Sequence, residues 1–517
     1  SLVLSARLDW RQAALLRALG AYLKQIRFGY SQLFLAETLS KHAAVTSDLL
    51  TLFTLIFTPG SEPNKTKAAR TVQRIERGID SVTNLSEDSV LRGFLALLTA
   101  MRRTNFFQRD TAGETKDYFS FKFEPRLIKG IPKPVPLFEI FVFSAKVEGV
   151  HLRGGKVARG GLRWSDRRED YRTEVLGLVK AQQVKNSVIV PVGAKGGFVV
   201  KAATPAADRA ENQARGINAY KTFIAGLLDI TDNLNQSVLV SPPDVVRLDE
   251  DDPYLVVAAD KGTATFSDIA NGIAASYEFW LGDGFASGGS NGYDHKAMGI
   301  TAKGAWVSVQ RHFRERGIDI QKDEISVIGI GDMSGDVFGN GMLLSQKIGL
   351  IGAFNHLHIF VDPTPDSKSS FKERRRLFRL AGSTWADYKK ELISAGGGVF
   401  DRSAKSITLS AAMRQVFGVD AATLTPDELI SAMLKAPVDL LWNGGIGTYV
   451  KSENETHAQV GDKANDALRV DASQLRCVAI GEGGNLGMTQ LARIEYGLRQ
   501  GVSFTDFIDN SAGVDCS

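Results

Sequence analysis

The chain has 517 residues, of which 62 are basic and 58 acidic, so its formal net charge is only +4. Such a length allows roughly two to four domains with sizeable cores, and the balanced charge gives no reason to expect nucleic acid or an acidic membrane as a partner. Two cysteines are too few for a disulfide framework, no apolar run is long enough to span a membrane, and the N-terminus carries no signal peptide. We therefore expect a cytoplasmic protein. Because the chain starts without methionine and stops abruptly at Ser517, we expect both ends to be cut from something longer.

Helical spacing dominates residues 1–118, where Leu- and Ala-rich stretches such as Trp10–Leu23 and Ser89–Met101 recur. We expect a helical N-terminal region that packs on the domain after it. Strand character begins in Phe119–Val150, after which strands and helices alternate, a pattern typical of an α/β domain. The Gly/Ser-rich stretch Gly282–Asp294 suits a loop or hinge between two lobes.

The segment from residue 159 to residue 198 combines cations with glycines. Its members are Arg159, Arg163, Lys185 and Lys195, beside Gly160–Gly161 and Gly196–Gly197. A glycine backbone admits a small ligand closely, and neighbouring cations hold carboxylates. A helix is predicted over Glu174–Lys185 with Gln182 and Lys185 on one face. The β-branched run Val188–Val190 is predicted to be a buried strand that delivers Lys195 on the loop beyond it, where an apolar wall would lower the lysine pKa. Taken residue by residue, a basic solvated loop is the alternative.

A second signal is the strand Ile325–Ile330, which runs into a glycine-rich turn and a helix. The residues of this turn are Gly329, Gly331, Ser334 and Gly335. Strand, glycines and helix together are the context that a dinucleotide pyrophosphate needs. Asp362, at the end of a following strand, is predicted to accept hydrogen bonds from the ribose hydroxyls and to repel a 2′-phosphate, so NAD is favoured over NADP.

Other residues carry weaker predictions. Asp332 and Asp336 are interpreted as loop solvation rather than as Mg²⁺ ligands. Trp442–Thr448 either lines the cofactor cleft or forms a plain strand-ending turn. The charge run Lys372–Arg376 is interpreted as a solvated helix face. Four histidines show no metal spacing with the cysteines, so no metal is assigned: His295, His312, His356 and His358.

The first segment resembles the substrate site of glutamate dehydrogenases, most closely the large NAD-specific subgroup. The family has Lys-Gly-Gly-x-Arg, then a helix ending in Gln-x-x-Lys, then Pro-x-Gly-Gly-x-Lys-Gly-Gly. The matching residues are Arg159-Gly160-Gly161-Leu162-Arg163, Gln182-Gln183-Val184-Lys185 and Pro191-Val192-Gly193-Ala194-Lys195-Gly196-Gly197. Arg159 replaces a lysine, which keeps the charge but changes a point donor into a fork. The run from Lys185 to Lys195 is also shorter than in the smaller enzymes.

Two further segments extend the resemblance. Val256–Gly262 is similar to the family's Pro-x-x-Asp segment, and Asp260 is predicted to end an apolar strand that partly desolvates its carboxylate. A helix N-cap is the alternative role for Asp260. Thr301-Ala302-Lys303-Gly304 is similar to the Thr-Gly-x-Gly motif at the nicotinamide end, with Ala302 in place of the first glycine.

Near the end of the chain, Gly481–Thr489 resembles the Asn-Glu-Gly-Ala-Asn-x-Pro-Thr segment, which implies a place for Asn485 at the nicotinamide ribose. Asn510–Ser517 resembles the family's Asn-x-Gly-Gly-Val-x-x-Ser. In that match, Ser517 falls on the serine that helps to hold the substrate.

The resemblance implies an α/β fold, a two-lobed amino-acid dehydrogenase core preceded by a helical region. We expect a helical N-terminal region (1–118), a substrate-binding catalytic domain (119–295), a Rossmann-type NAD-binding domain (296–500) and a segment returning to the substrate domain (501–517). The resemblance also implies NAD as cofactor, L-glutamate, 2-oxoglutarate and ammonium as substrates, and a homo-oligomer.

The resemblance further implies a role for each site residue. Arg159 and Ser517 hold the side-chain carboxylate of L-glutamate, and Gln182 and Lys185 hold its α-carboxylate. These four residues would orient the substrate for removal of a hydride from Cα.

In the same way, Lys195 is implied to polarise the C2 carbonyl and activate water, while Asp260 moves protons to and from nitrogen. Two other functions stay open. A dehydrogenase of an apolar amino acid is disfavoured by Arg159, because an unpaired cation facing a methyl group is costly. An NAD-binding regulatory or catalytically silent module is disfavoured by the presence of Lys195 and Asp260.

Overall fold

The computed structural model describes residues 8–60, 65–158, 160–184, 192–201, 208–258, 266–291 and 294–516, without the side chains of residues 181–184, 209 and 514. The chain divides into two compact units, residues 1–293 and 294–517. Within the described ranges, no helix is long and apolar enough to cross a membrane.

The first unit begins with helices, as predicted. They are α1 (Trp10–Gln25), α2 (Gln32–Lys41), α3 (Ala43–Phe57), α4 (Lys65–Asp80) and α5 (Leu85–Ala100). Asp9 starts α1 by accepting a hydrogen bond from the backbone N–H of Gln12 at 2.7 Å. Leu15, Leu19 and Leu23 recur on one buried face of that helix, and this face packs towards the adjoining sheet.

A six-stranded sheet comes next in the chain, with strand order β1-β2-β3-β4-β6-β5. Its strands are β1 (Met101–Thr104), β2 (Tyr118–Phe123), β3 (Phe138–Ser144), β4 (Val147–Arg153), β5 (Leu162–Trp164) and β6 (Ala194–Val200). The sheet therefore begins before residue 119. β5 and β6 are parallel neighbours, and every other pairing is antiparallel.

The remaining helices and short strands of this unit are α6 (Tyr171–Val184), α7 (Arg209–Leu228), β7 (Asn233–Asn235), β8 (Val238–Val240) and α8 (Ser267–Ser276), with 3-10 turns at Pro125–Leu127 and Gly282–Gly284. The N-terminal helices and α6 cover one face of the sheet, and α7 and α8 cover the other. The helix predicted over residues 174–185 is confirmed as α6 for the described part.

Two local predictions in this unit are wrong. Lys195 lies inside β6 rather than on a loop, because β4 and β5 both pair with that stretch. Residues 256–258 form no strand. Ala258 bonds to Leu162 and Val257 bonds to Phe285, so these residues do not pair with one neighbouring strand. The strand predicted at Val188–Val190 lies outside the described residues.

The second unit contains a six-stranded sheet with order β12-β11-β10-β9-β15-β18. Its strands are β9 (Ile325–Ile330), β10 (Ile348–Phe354), β11 (His358–Val361), β12 (Gly398–Asp401), β15 (Leu440–Asn443) and β18 (Ala479–Glu482). β10, β9, β15 and β18 run parallel, whereas β11 and β12 are antiparallel to their neighbours. The strand predicted at residues 325–330 is confirmed as β9.

The helices of this unit are α9 (His295–Met298), α10 (Ile300–Arg314), α11 (Asp336–Gly341), α12 (Ser367–Arg379), α13 (Ala411–Phe417), α14 (Pro426–Leu434), α15 (His457–Val460), α16 (Gln490–Leu498), α17 (Asp506–Asp509) and α18 (Ser511–Cys516). Short strands and 3-10 turns complete it: β13 (Ile407–Thr408), β14 (Thr423–Leu424), β16 (Val450–Lys451), β17 (Val470–Asp471), and turns at Trp385–Asp387, Lys390–Leu392, Lys463–Asn465 and Ala472–Gln474. Separate apolar clusters cover the two faces of the sheet. The prediction of an α/β protein with a helical leader is confirmed.

Candidate active site

Lys195 lies against Gly161 in the first unit. β5 and β6 are parallel neighbours, and the carbonyl of Gly161 accepts a hydrogen bond from the N–H of Gly196 at 2.8 Å. A Cβ atom at residue 161 would overlap Nζ of Lys195. A larger residue here would displace the Lys195 side chain, and the predicted catalytic lysine contacts the loop that is predicted to bind substrate.

The segment that leads to Asp260 reaches the same loop. The Leu162 N–H donates to the carbonyl of Ala258 at 2.9 Å. A Cβ atom at Gly160 would lie 2.5 Å from the carbonyl oxygen of Val256. Three segments that are distant in sequence therefore converge: the Gly160–Gly161 loop, Lys195, and residues 256–258.

An ion pair joins this loop region to the first turn of α6. Arg163 donates to Oε1 of Glu174 at 3.0 Å, and Ser165 donates to Oε2 of the same carboxylate at 2.6 Å. Glu174 begins the helix predicted from the sequence, but nothing in the local pattern identified Ser165. The interaction fixes the start of α6 relative to β5.

His151 is a buried residue next to this convergence that the motifs do not mark. It pairs with Gly196 across β4 and β6 and is 2 % exposed. Its ring bonds to the backbone of Val256, and burial lowers its pKa to about 3. His151 is therefore a neutral support for the segment that leads to Asp260. Six of the seven β4 residues are buried, so the strand pattern gives no signal that could have marked His151.

The structure does not describe five of the predicted site residues or their side chains. Arg159, Lys185, Asp260 and Ser517 lie outside the described residues. Gln182 belongs to α6, but its side chain is outside the described part. Their roles stay predictions.

In the second unit, glycine-rich segments follow three parallel strands. β9, β15 and β18 are parallel neighbours, so their carboxyl ends meet at one edge of the sheet. Gly444 donates its N–H to the carbonyl of Ile330 at 2.9 Å, and Gly484 donates to that of Asn443 at 3.0 Å. Trp442–Thr448 thus lies at the edge where dinucleotides bind in open α/β sheets.

Gly331 forms the sharpest turn at this edge. Its φ is +135°, and a Cβ atom there would lie 2.8 Å from Cβ of Phe338. Its N–H donates to Phe354 at 2.8 Å, and its carbonyl accepts from Nε1 of Trp385 at 3.0 Å. Only glycine tolerates this conformation and this approach. The bare backbone next to α11 fits the close approach of a phosphate.

Two other predicted cofactor residues pack together with the end of the chain. The Asn485 side chain accepts a hydrogen bond from Nδ2 of Asn510 at 3.0 Å. Thr301, on α10, lies so close to Gly513 that a Cβ atom at residue 513 would overlap its hydroxyl. The described residues 501–516 pack within the second unit in this way. The structure thus brings together three motifs that lie far apart in the sequence.

Asp362, which the sequence pattern predicts at the ribose, does not lie at the glycine-lined edge. It follows β11, which is antiparallel to β10, so the chain runs away from the glycine-lined edge and Asp362 lies beside the middle of β10. Its N–H donates to the carbonyl of Ile351 at 2.8 Å, about three residues or ~10 Å back along β10. The carboxylate is 0 % exposed and accepts from the N–H of Ser394 at 3.0 Å. Burial raises its pKa.

Two buried acidic residues, Glu482 at the end of β18 and Asp509 on α17, lie close to each other. Burial raises the pKa of Glu482 to about 8, although the Arg493 guanidinium forms an ion pair with it. Asp509 accepts the Glu482 backbone N–H at 2.9 Å, and burial raises its pKa to about 6. Asp509 therefore holds the backbone at the end of β18, three residues before Asn485.

Comparison with known sequences gives two family matches. The family described as "Bacterial NAD-glutamate dehydrogenase, catalytic domain" matches residues 74–517, and "Glutamate dehydrogenase, helical motif 3" matches residues 1–59. A protein of Pseudomonas aeruginosa named NAD-specific glutamate dehydrogenase is 65% identical over 520 residues, covering 100% of this chain and 32% of its own length. A protein of Mycobacterium tuberculosis with the same name is 57% identical and is covered to 33%. The chain spans about a third of the length of these relatives.

Among solved structures, hetero-hexameric glutamate dehydrogenase from Thermus thermophilus (Leu bound form) is similar at 14% identity and a TM-score of 0.40. The similarity covers 74% of this chain and 71% of that one.

Proposed function

Because the chain belongs to the family of bacterial NAD-glutamate dehydrogenase catalytic domains, we propose that it carries out the NAD-dependent oxidative deamination of L-glutamate. L-Glutamate, NAD⁺ and water give 2-oxoglutarate, ammonium, NADH and a proton, and the reaction is reversible. The chain is about a third as long as its relatives, so the proposal concerns the reaction of this part. The proposed cofactor is NAD, which accepts the hydride.

The observation that supports the proposal most is the contact between Lys195 and Gly161. It combines a cation with bare backbone, next to the Leu162–Ala258 hydrogen bond. A lysine at such a place can polarise a substrate carbonyl and activate a water molecule. This chemistry is what hydrolysis of an imine formed from L-glutamate requires.

The other roles in the proposal follow the family pattern. Arg159 and Ser517 bind the side-chain carboxylate, and Gln182 and Lys185 bind the α-carboxylate. Each carboxylate thus receives one cation and one neutral donor, and the cation suits it because charge-assisted hydrogen bonds are about twice as strong as neutral ones. Asp260 takes a proton from the substrate ammonium, which must be neutral before hydride can leave Cα.

The proposed cofactor residues all lie in the second unit. They are Thr301, Gly329, Gly331, Ser334, Gly335 and Asn485. The glycines let the pyrophosphate approach the backbone, and Asn485 faces the nicotinamide ribose. Asp362 has no part in this proposal.

The test follows NADH absorbance with 2-oxoglutarate and ammonium, with NADPH in parallel. Loss of NADH absorbance is the expected result, and Lys195→Ala should lower kcat by at least about 10²-fold. Lys180→Ala is the matched control, because Lys180 is an exposed lysine of α6. An equal loss in both variants would contradict the role of Lys195.

The two alternatives give different results in the same assay. Turnover with an apolar 2-oxo acid in place of 2-oxoglutarate would indicate another amino-acid dehydrogenase. NADH binding without turnover of any 2-oxo acid would indicate a regulatory module. A homo-oligomeric assembly and a cytoplasmic location are part of the proposal, and light scattering of the purified chain tests the first.

A further inference from the structure

The carboxyl end of β10 is the place where the sheet topology puts an adenosine ribose. β9 and β10 are parallel neighbours, and the glycine turn follows β9. In a dinucleotide fold, the ribose hydroxyls lie at the end of the strand that follows the glycine turn and its helix. Here that strand is β10, which ends at Phe354 and is followed by Asn355.

Asn355 is held rigidly at this point. Its Oδ1 accepts from the N–H groups of Leu357 and His358, each at 2.8 Å. Its Nδ2 donates to Oδ2 of Asp332 at 2.8 Å. The Asn355 amide is uncharged and cannot repel a 2′-phosphate. Asn355 therefore does not itself take the place of the acidic residue that a dinucleotide fold has near the ribose. Asn355 instead holds the neighbouring acidic residue, Asp332, in place.

Asp332 belongs to the loop between β9 and α11. Its Oδ1 accepts from the N–H of Ser334 at 2.8 Å, and its side chain is only partly buried. Burial alone would raise the pKa of Asp332, but hydrogen bonds from Asn355 and Ser334 outweigh this and hold the pKa below its usual value. The carboxylate is therefore charged near neutral pH. Simple loop solvation, the sequence-based interpretation, does not describe these contacts.

We propose that Asp332, held by Asn355, accepts hydrogen bonds from the adenosine ribose hydroxyls and excludes a 2′-phosphate, so that it sets the preference for NAD over NADP. This rests on the proposed function. A fixed carboxylate binds a 2′-hydroxyl by a charge-assisted hydrogen bond and repels a 2′-phosphate.

A cation near Asn355, Arg402, affects the cofactor preference that we expect once Asp332 loses its charge. Arg402 donates to the backbone carbonyl of Asn355 at 3.2 Å and to Oδ1 of Asp427 at 3.0 Å. An arginine in this region can accommodate a 2′-phosphate. With Asp332 charged, the repulsion dominates. Once Asp332 is neutral, Arg402 should favour the phosphorylated cofactor.

The experiment measures binding of NADH and NADPH by isothermal titration calorimetry, without turnover. For Asp332→Asn, the ratio of the NADPH Kd to the NADH Kd should fall by about 10- to 100-fold. Asp362→Asn is the matched control, because the sequence pattern pointed to that aspartate, and its ratio should not change. A shift in Asp362→Asn but not in Asp332→Asn would overturn the inference.

A second measurement covers failure of the variant to fold, which thermal melting detects. The unmodified chain should bind 2′-deoxy-NADH about 10-fold more weakly than NADH. Equal affinity for the two would overturn the inference without any variant. If the unmodified chain binds neither NADH nor NADPH, the proposed function itself fails, and this outcome is distinct from an unchanged ratio.

Discussion

Arg172 on α6 holds Glu139 on β3 through two hydrogen bonds of 2.7 Å, and both side chains are completely buried. The paired geometry matches the fork of a guanidinium to a carboxylate. The N–H of Arg172 also donates to Oε1 of Gln25 at 3.2 Å, so the same residue ties α6 to α1. The helix that is proposed to bind the α-carboxylate is thus fixed to the sheet by an interior ion pair.

Loss of one partner of this pair should be costly. We expect Arg172→Ala to lower the free energy of unfolding by about 3–5 kcal/mol, because it leaves the Glu139 charge buried without its cation. The control is Arg311→Ala, which removes an exposed pair with Glu315 and should cost less than ~1 kcal/mol. Urea unfolding measures both. A cost for Arg172→Ala no larger than that of the control would contradict the interpretation.

Much of the secondary structure and of the glycine edge could be predicted from the sequence. Periodicity located α6 and β9 because each is decided by its own residues. The position of Asp362 could not be predicted in this way. Whether β11 runs parallel or antiparallel to β10 depends on a pairing between strands, and this direction decides whether Asp362 lies at the glycine-lined edge. The residues of β11 alone give no information about the direction in which the strand pairs.

The charged run in α12 shows the same limit. Arg374 was predicted on a solvated face, yet it is completely buried and donates to the carbonyls of Met342 at 3.1 Å and Ile348 at 3.2 Å. Burial lowers its pKa to about 10. Its neighbours on the other faces, Lys372 and Arg375, are exposed as predicted. Glu373 is buried as well, so which positions of a charged run are buried depends on what the helix packs against.

The contact between Gly161 and Lys195 makes a second prediction. Gly161→Ala should lower kcat/KM by about 10²-fold, because its Cβ would displace Lys195 Nζ and small misplacements of a reacting group cost about that much. Gly177→Ala is the matched control. Gly177 is an exposed glycine of α6 with no atom near its Cβ position, so alanine should stabilise the helix by roughly 0.5–1 kcal/mol. Steady-state kinetics and thermal melting test both, and full activity of Gly161→Ala would contradict the prediction.

The hydrogen bond between Asn485 and Asn510 leads to a third prediction. Asn510→Ala should raise the NADH Kd several-fold, because it frees the Asn485 side chain that is proposed to face the nicotinamide ribose. The lost hydrogen bond should also cost about 1 kcal/mol of stability. Asn454→Ala, at an exposed position of the same unit, should change neither quantity. An unchanged NADH Kd in a folded Asn510→Ala variant would argue against Asn485 at the cofactor.

His151 gives a prediction about pH. Its pKa is lowered from 6.5 to about 3 by burial and by the nearby Arg153 charge. A base whose folded pKa is lowered stabilises the protein fully above its unfolded value, and this stability is lost as pH falls from about 6.5 towards 3. At pH 5, the loss due to His151 should be about 2 kcal/mol, since each pKa unit corresponds to about 1.4 kcal/mol. His151→Gln cannot titrate, so its unfolding free energy relative to the unmodified chain should rise by that amount between pH 7.5 and pH 5. Urea unfolding at each pH measures the difference.

The control is His356→Gln, which alters an exposed histidine and so tests for the effect of losing any histidine. If the difference in unfolding free energy for His151→Gln is independent of pH, the His151 ring is not held neutral by burial.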